Sequence, residues 1–341
     1  MSSVEELLEE GKLISPEVKE EIDSLNDDVI QTLLDSNSMV IGKDELRELS
    51  IPRPEVMKED EEVKEEIHVS DFTEFYLERF KFLKNEIKER MDKENTSSIN
   101  RVSSGKASII GMVRQCEDDE IIVEDNTGKI TVRTSEKFLE DEVIGVKGEV
   151  IKNDEVVMSP DKIFYPDVPL GKEVKSLDQD LSALFVTEIT EDVMEKIEEI
   201  EPEYVFSVSE VKNPGSIPAH VVCISPEETE NSSKDPLRCD LGSLRILMHD
   251  GSSVEKAQSE LERGMRETLI FLLKRRHLNP IEMHSLRDRY LLKEVPDILH
   301  TKGDENVAAN YKGVTLLSTT EEEGFLVNLE TREVEELDFS S

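Results

Sequence analysis

Apolar positions in the first fifty residues follow a helical period. Leu7, Leu8, Leu13, Ile14, Val18, Ile22, Leu25, Val29, Ile30, Leu33 and Leu34 recur at helical spacing, which groups them on one face of successive turns. Ser15-Pro16-Glu17 reads as a helix start, with Ser15 as cap and Pro16 in the first turn. Residues 1–50 are therefore expected to form a small helical domain. The pattern lapses over 51–69, where Ile-Pro-Arg-Pro is followed by a run of acids; this is the composition of an extended, hydrated linker. It resumes at 70–91 as a helix capped by Ser70 or Asp71. Here Phe72, Phe75, Tyr76, Phe80, Leu83, Ile87 and Met91 share a face that is expected to be covered, since so many aromatic rings would otherwise form an exposed patch.

Beyond a Ser/Asn-rich hinge at 95–104 the period falls to two. Residues 107–114, 120–124, 129–134, 143–152 and 155–165 read as five strands, punctuated by Asp125-Asn126-Thr127-Gly128 and Lys152-Asn153-Asp154. A short helix fits 135–140. Five short antiparallel strands with a helix between the third and fourth is the plan of an OB barrel, and Tyr165-Pro166-Asp167-Val168-Pro169 closes it. After residue 181, short apolar runs at 183–186, 204–207, 220–224, 244–248 and 314–317 alternate with helical segments at 191–199 and 254–276, as in layered α/β domains. The polar stretch 225–243 reads as a loop. The expected class is α+β and multidomain, divided as 1–50, 51–69, 70–170 and 171–341.

The net charge of -38 changes this picture most. Such a chain repels phosphate backbones, so DNA contact would depend on local basic spots or on a partner. The acids run the whole length, which favours a solvation device for a salty cytoplasm over one patch for a basic partner. No apolar run reaches about 18 residues, the length of a membrane span, and the N-terminus has no signal-peptide pattern. Cys116, Cys223 and Cys239 are far apart, the usage of a reduced cytoplasm with buried thiols.

Local chemistry is sparse. There is no GxSxG, P-loop or GxGxxG, and Gly42-Lys43 and Gly128-Lys129 lack phosphate-cradling spacing. Lys274-Arg275-Arg276-His277 is the densest basic cluster, either complementing a helix C-terminus or contacting a partner together with Arg287, Arg289 and Lys293. Between Lys106 and Ile163 the only aromatic is Phe138, and Arg114, Lys129, Arg133 and Lys147 lie scattered among acids. A barrel that docks protein is therefore preferred over one that stacks bases. His68, His220, His277, His284 and His300 show no helical metal spacing.

Several stretches resemble the small subunit of archaeal family D DNA polymerase and, more distantly, the B subunits of eukaryotic replicative polymerases. They are the aromatic helix from Asp71-Phe72 to Phe80 and Leu83, Ile109-Ile110-Gly111-Met112-Val113 with Glu124-Asp125-Asn126-Thr127-Gly128, Ile163-Phe164-Tyr165-Pro166-Asp167-Val168-Pro169-Leu170, Lys274-Arg275-Arg276-His277-Leu278-Asn279-Pro280 and Val295-Pro296-Asp297-Ile298-Leu299-His300-Thr301. The resemblance implies a calcineurin-like C-terminal domain, which in active members is a two-metal 3′–5′ exonuclease needing Asp, His and Asn ligands at strand ends. This chain departs from those motifs. Thr187-Glu188, Ser209-Glu210, Ser225-Pro226-Glu227 and Lys302-Gly303-Asp304 stand where ligands are expected, and only His249 matches one.

The resemblance thus implies a nuclease-inactivated member, a subunit of a DNA polymerase holoenzyme without catalytic residues or cofactor of its own. Its relic positions are Glu188, Glu210, His249 and Asp304. Its partner is the large catalytic subunit, docked through Phe164, Tyr165, Arg275 and Arg276, with DNA reached through the complex and other replication factors recruited by the N-terminal domain. The alternatives are a manganese-dependent exonuclease using the four relic positions, and a free-standing paralogue in DNA repair. The tail ending in Leu337-Asp338-Phe339 lacks the paired aromatics and glutamine of a clamp-binding box. Because self-repulsion is screened by salt, the melting temperature is expected to climb as potassium chloride is raised toward molar concentration; a flat profile in a thermal melt series rejects the halophilic reading of the acidity.

Overall fold

A computed structural model describes residues 3–23, 27–35, 38–43, 51–58, 68–91, 96–152, 155–280 and 287–340. The chain divides into two compact units, Met1–Pro54 and Glu55–Ser341. In the first, helices α1 (Ser3–Glu9), α2 (Lys19–Ile22) and α3 (Asp27–Asp35) accompany a parallel strand pair, β1 (Leu13–Ile14) and β2 (Val40–Ile41). Leu7, Val18, Ile22, Ile30, Leu33 and Ile41 form its core. Leu8 and Leu13 are exposed instead; Leu13 belongs to a strand, so the helical period does not govern it. Pro16 opens a 3-10 turn (Pro16–Val18), and Ser15 Oγ donates to Glu17 Oε1 (3.3 Å) rather than capping the turn. Leu25 and the side chain of Val29 lie outside the described residues.

The second unit begins in the expected linker. Glu55–Met57 forms strand β3, which pairs antiparallel with a later strand, Val56 opposite Cys239; 59–67 lies outside the described residues. Helix α4 (Val69–Arg90) starts a residue earlier than its pattern indicates. Asp71 is not its cap. It sits at the third helical position and accepts from the His68 amide at 2.7 Å, reaching back to an otherwise orphaned donor. Phe75, Phe80, Leu83, Ile87 and Met91 are buried, but Phe72 is 44% exposed. Periodicity decides which face Phe72 takes, whereas its burial depends on what lies opposite.

Strands β4 (Gly105–Cys116), β5 (Glu120–Asp125), β6 (Gly128–Arg133), β7 (Val143–Lys152) and β8 (Val156–Phe164) close into a barrel in the order β4-β5-β6-β8-β7. The β6–β8 pairing is parallel and the others antiparallel, an OB-like arrangement. Alternate side chains fill it, among them Ile109, Val113, Val123, Val132, Val146 and Met158. Asp125 holds the β5–β6 turn, its Oδ1 accepting from the amides of Thr127 (2.8 Å) and Gly128 (3.1 Å). Helix α4 packs on β7 at Gly145, where an added Cβ would come within 2.6 Å of Met91 Sδ and 2.7 Å of Ile87 Cγ2.

The helix expected at 135–140 does not form. Phe138 enters the barrel core while Leu139 enters the neighbouring core of the C-terminal sheets, so consecutive side chains point opposite ways. The Leu139 amide goes to Glu142 Oε1 (2.6 Å) instead of a helical carbonyl.

Two six-stranded sheets complete the unit. One has the order β12 (Ser232–Ser233), β11 (His220–Ile224), β10 (Tyr204–Ser207), β9 (Ser182–Val186), β18 (Glu323–Asn328), β19 (Val334–Asp338). The other has β16 (Val307–Tyr311), β17 (Val314–Thr319), β15 (Ile298–Lys302), β14 (Leu244–His249), β13 (Leu237–Leu241), β3. Helix α5 (Glu191–Ile200) is capped by Thr190, whose Oγ1 accepts from Val193 N at 3.3 Å. The helix expected over 254–276 is two, α6 (Ser252–Leu261) and α7 (Met265–Arg275), because Glu262 turns left-handed (φ 53°) after the first. The expected loop 225–243 contains β12 and β13. The alternation Leu237, Cys239, Leu241 followed by Gly242 was its signal, a half-buried strand entering a hairpin.

Arg275 and Arg276 do not face outwards. Arg275 is 4% exposed; its Nε donates to Glu142 Oε2 at 2.9 Å, and its guanidinium lies 3.5 Å from the Phe271 ring centroid and 4.0 Å from that of Tyr165. Arg276 donates to Glu86 (2.5 Å) on α4 and to the Leu292 carbonyl (2.9 Å). Phe164 is half-buried against the α4 cluster, and Tyr165, half-buried in the barrel core, donates to Glu136. The four expected docking residues therefore lie in internal seams: Arg275 and Tyr165 join the barrel to α7, Arg276 joins the end of α7 to α4, and Phe164 packs against the α4 cluster, the carboxylates and rings offsetting the cost of burying each guanidinium. Burial pushes the Glu142 carboxyl up, with Arg275 opposing. Removing one partner of such a pair strands the other. Arg275→Ala is expected to lower the unfolding free energy by about 3–5 kcal/mol in urea titration, and adding Glu142→Gln to restore part of it.

Candidate functional site at the strand ends

Parallel strands present their C-terminal ends together, where α/β proteins place ligands. Here those ends carry hydroxyls. Thr187 follows β9, Ser207 ends β10, Ser225 follows β11 and Thr319 ends β17, and all four are buried. Thr187, Ser207 and Thr319 bond to one another and to backbone, while Ser225 Oγ donates to Glu210 Oε1 (3.2 Å). Thr187 Oγ1 lies 2.9 Å from the Thr319 carbonyl and 3.0 Å from Thr319 Oγ1. Ser207 Oγ lies 2.9 Å from the Ser209 carbonyl and 3.2 Å from that of Thr187. His300 of β15 places Nε2 2.9 Å from Thr319 Oγ1 and its ring edge-on to Phe185, centroids 5.2 Å apart. Burial lowers the His300 imidazole to about 3. Thr187, Ser207, Thr319 and His300 therefore form a neutral, hydrogen-bonded group at physiological pH, which by itself offers no anionic donor of the kind hard divalent cations require.

The four relic positions do not converge. Glu188, Glu210 and Asp304 are exposed; Glu210 accepts from Ser225 Oγ (3.2 Å) and Asp304 from Gln258 Nε2 (3.3 Å). His249 is buried, and among the described residues it clusters with Asp235 and Asp250, ligand atoms within 4.8 Å of one another. Asp250 follows His249 directly in sequence, but Asp235 lies in the expected loop and only the β13–β14 hairpin brings it close. His249 Nδ1 lies 2.8 and 3.0 Å from the Asp235 oxygens and Nε2 lies 2.5 Å from Ser253 Oγ. Asp235 also accepts from the Asp250 amide (2.8 Å) and the Tyr290 hydroxyl (3.0 Å). Burial opposes ionisation of Asp235, but these bonds outweigh it and hold the carboxyl below its ordinary range. One imidazole with both nitrogens engaged does not supply the donor set of a dinuclear centre.

Ser253, His249 and Asp235 have the connectivity of a nucleophile, base and orienting carboxylate. Yet Ser253 is 5% exposed and its Oγ also lies 2.9 Å from the Leu278 carbonyl. The array is a buried cross-link between a hairpin, α6 and the segment after α7. His277 is a second such cross-link. Its Nδ1 accepts from the Asn279 amide (3.0 Å), so Nε2 carries the proton and donates to Asp288 (2.8 Å). Burial lowers the His277 imidazole. Asp288 also accepts from Arg79 Nε (2.5 Å); burial opposes this, but the two donors hold its carboxyl down to about 2. His220 is half-buried beside Tyr204, His68 is exposed at the start of α4 and His284 lies outside the described residues. Cys223 and Cys239 are buried as expected, while Cys116 is exposed.

A cavity of about 580 Å³ gathers Arg238, Arg245, Arg287 and Lys293. Arg245 is engaged by Asp240 (3.2 Å) and Glu294 (2.6 Å), and Lys293 by Glu78 (2.7 Å), so the charges offset one another. On the barrel, a groove of about 330 Å³ over β5 and β6 is bordered by Glu117, Glu120 and Glu155, with Lys129 the one cation among the described residues that line it. Among the described residues no aromatic lines it, an arrangement unsuited to stacked bases.

No family model and no curated protein matches this chain. Solved structures similar to parts of it include an archaeal phosphodiesterase at 11% identity, covering 46% of this chain and 99% of that one, with a TM-score of 0.30. The protein ygiW from E. coli is 15% identical, covering 21% and 90%, with a TM-score of 0.19. The telomere capping protein Ten1 from Saccharomyces pombe is 17% identical, covering 19% and 70%, with a TM-score of 0.17. Among the described residues no helix is long and apolar enough to cross a membrane.

His300 makes the strand ends sensitive to acid. Its folded pKa lies below the unfolded value, so the unfolded chain takes up the proton first. The stability this contributes is complete above about pH 6.5 and is lost as pH falls toward 3. His300→Gln keeps a polar group for Thr319 without the titration. It is expected to flatten the decline of unfolding free energy by up to about 1.4 kcal/mol per pH unit between pH 6 and 4, measured by urea titration at each pH; an unchanged slope contradicts this assignment.

Proposed function

We propose that this chain is a non-catalytic accessory subunit of a DNA polymerase of the archaeal family D kind. The OB-like barrel and a degenerate calcineurin-like sandwich act as one body that docks and stabilises a large catalytic subunit. The observation that carries the reading is the chemistry of the strand ends: where a two-metal phosphoesterase concentrates carboxylates and imidazoles, Thr187, Ser207, Ser225 and Thr319 are buried hydroxyls bonded within the chain. The sequence resemblance supplies the partner class, and the buried links through Arg79, Arg275 and Arg276 support a rigid scaffold. The N-terminal unit would then recruit other replication factors, and DNA would be reached through the assembly. The exonuclease alternative draws on Glu188, Glu210, His249 and Asp304; of these only His249 lies in a group of potential metal ligands among the described residues, with Asp235 and Asp250.

The purified chain with Mn²⁺ is expected to release no nucleotides from 3′-labelled DNA, and the tagged chain to recover a large polymerase subunit from native cells at equal stoichiometry. Turnover abolished by His249→Ala, or a tagged chain that never recovers the large subunit, overturns the reading.

A further inference from the structure

The N-terminal half of α4 carries large apolar side chains that the barrel does not cover. Phe72 is 44% and Leu77 45% exposed. Together with Tyr76 and Met112 they floor a groove of about 300 Å³ between the helix and the β5–β6 turn. Both walls are fixed. The helix is anchored by Arg79 to Asp288 (2.5 Å) and to the Pro280 carbonyl (2.6 Å), and the turn by the Asp125 bonds described above. A rigid, partly aromatic groove flanked by polar residues is the form of a protein-docking surface.

Two observations select the occupant. The barrel is closed, so the wall beside the groove offers no free strand edge for an extended peptide to join; a helix laid in the groove by its apolar side chains remains. The wall is also acidic. Glu124, with its side chain 48% exposed, lines it beside Asp125, and the groove's cation, Arg114, is already held by Asp141 (2.5 Å) and Glu124 (3.5 Å). The net charge of -38 extends that field, attracting cations and repelling phosphate.

We propose that this groove docks an amphipathic helical segment of a partner protein, with large apolar side chains on one face and lysine or arginine flanking them. This deepens the scaffold reading and rests on it only in requiring that a protein partner exists.

The test uses the full chain and a fluorescein-labelled model helix with leucine and phenylalanine at i, i+3, i+4 and i+7 and lysine elsewhere, followed by fluorescence anisotropy. The patterned peptide is expected to bind at least about tenfold tighter than a scramble of the same composition and than a version with glutamate for lysine. Leu77→Asp and Phe72→Ser are each expected to weaken it about tenfold. Leu170→Asp, at a site 86% exposed elsewhere on the chain, is expected to leave it unchanged. Both groove residues are half-exposed, so thermal melts are expected to show the variants folded. A scramble that binds equally reduces the effect to bulk charge and overturns the proposal, as does binding indifferent to both groove substitutions. A labelled single-stranded oligonucleotide whose binding depends on Leu77 assigns the groove to nucleic acid and overturns it too. Failure to recover a polymerase subunit from cells, with Leu77-dependent peptide binding intact, removes the polymerase reading and leaves the groove.

Discussion

Three guanidiniums hold the second unit together from the inside. Arg275 links α7 to Glu142 at the start of the fourth barrel strand, Arg276 links the end of α7 to Glu86 of α4, and Arg79 links α4 to Asp288. Each joins segments more than a hundred residues apart in sequence, and each is buried beside aromatic rings. Ionic groups in such surroundings tolerate little displacement, because any movement that breaks the pair leaves a charge without solvent. Barrel, helix and sheets are thereby fixed as one body, in a way that apolar contact alone, which is non-directional, would leave less defined.

This arrangement also shapes the surface. The chain has 41 lysines and arginines against 79 acids, and it places several of its arginines in these seams. What remains outside is dominated by carboxylates, over the barrel face bordered by Glu117, Glu120 and Glu155 and beside the groove at Glu124. Such a surface discourages direct contact with phosphate and favours a partner that brings cations. The strand ends follow the same logic from within. With hydroxyls at Thr187, Ser207 and Thr319 and a neutral His300, these positions are held by neutral hydrogen bonds and avoid the mutual repulsion that clustered acids would bring.

Much of the architecture was legible from local pattern. The barrel strands, α5 and the central strands of the sheets fall within a residue or two of where periodicity and turn chemistry place them. The departures share a cause. Segment 135–140 has helical composition, yet Phe138 and Leu139 serve two cores at once, and a helix cannot send adjacent residues to opposite sides. Glu55–Met57 reads as linker because its pairing partner, β13, is far along the chain. At the candidate site the residue types were legible from composition and their grouping was not. Asp235 could not be joined to His249 until the hairpin folded.

The sequence by itself determined the alternation of strands and helices, the identity of the residues that follow each strand and the acidity of the whole. These depend on residue identity and on spacings of a few positions. Tertiary structure decided that Arg275 and Arg276 point inwards, that Phe72 and Leu77 are left uncovered, and that His249 is locked between Asp235 and Ser253. Burial and charge pairing depend on groups brought together from distant parts of the chain, and no local period encodes which surface will meet which.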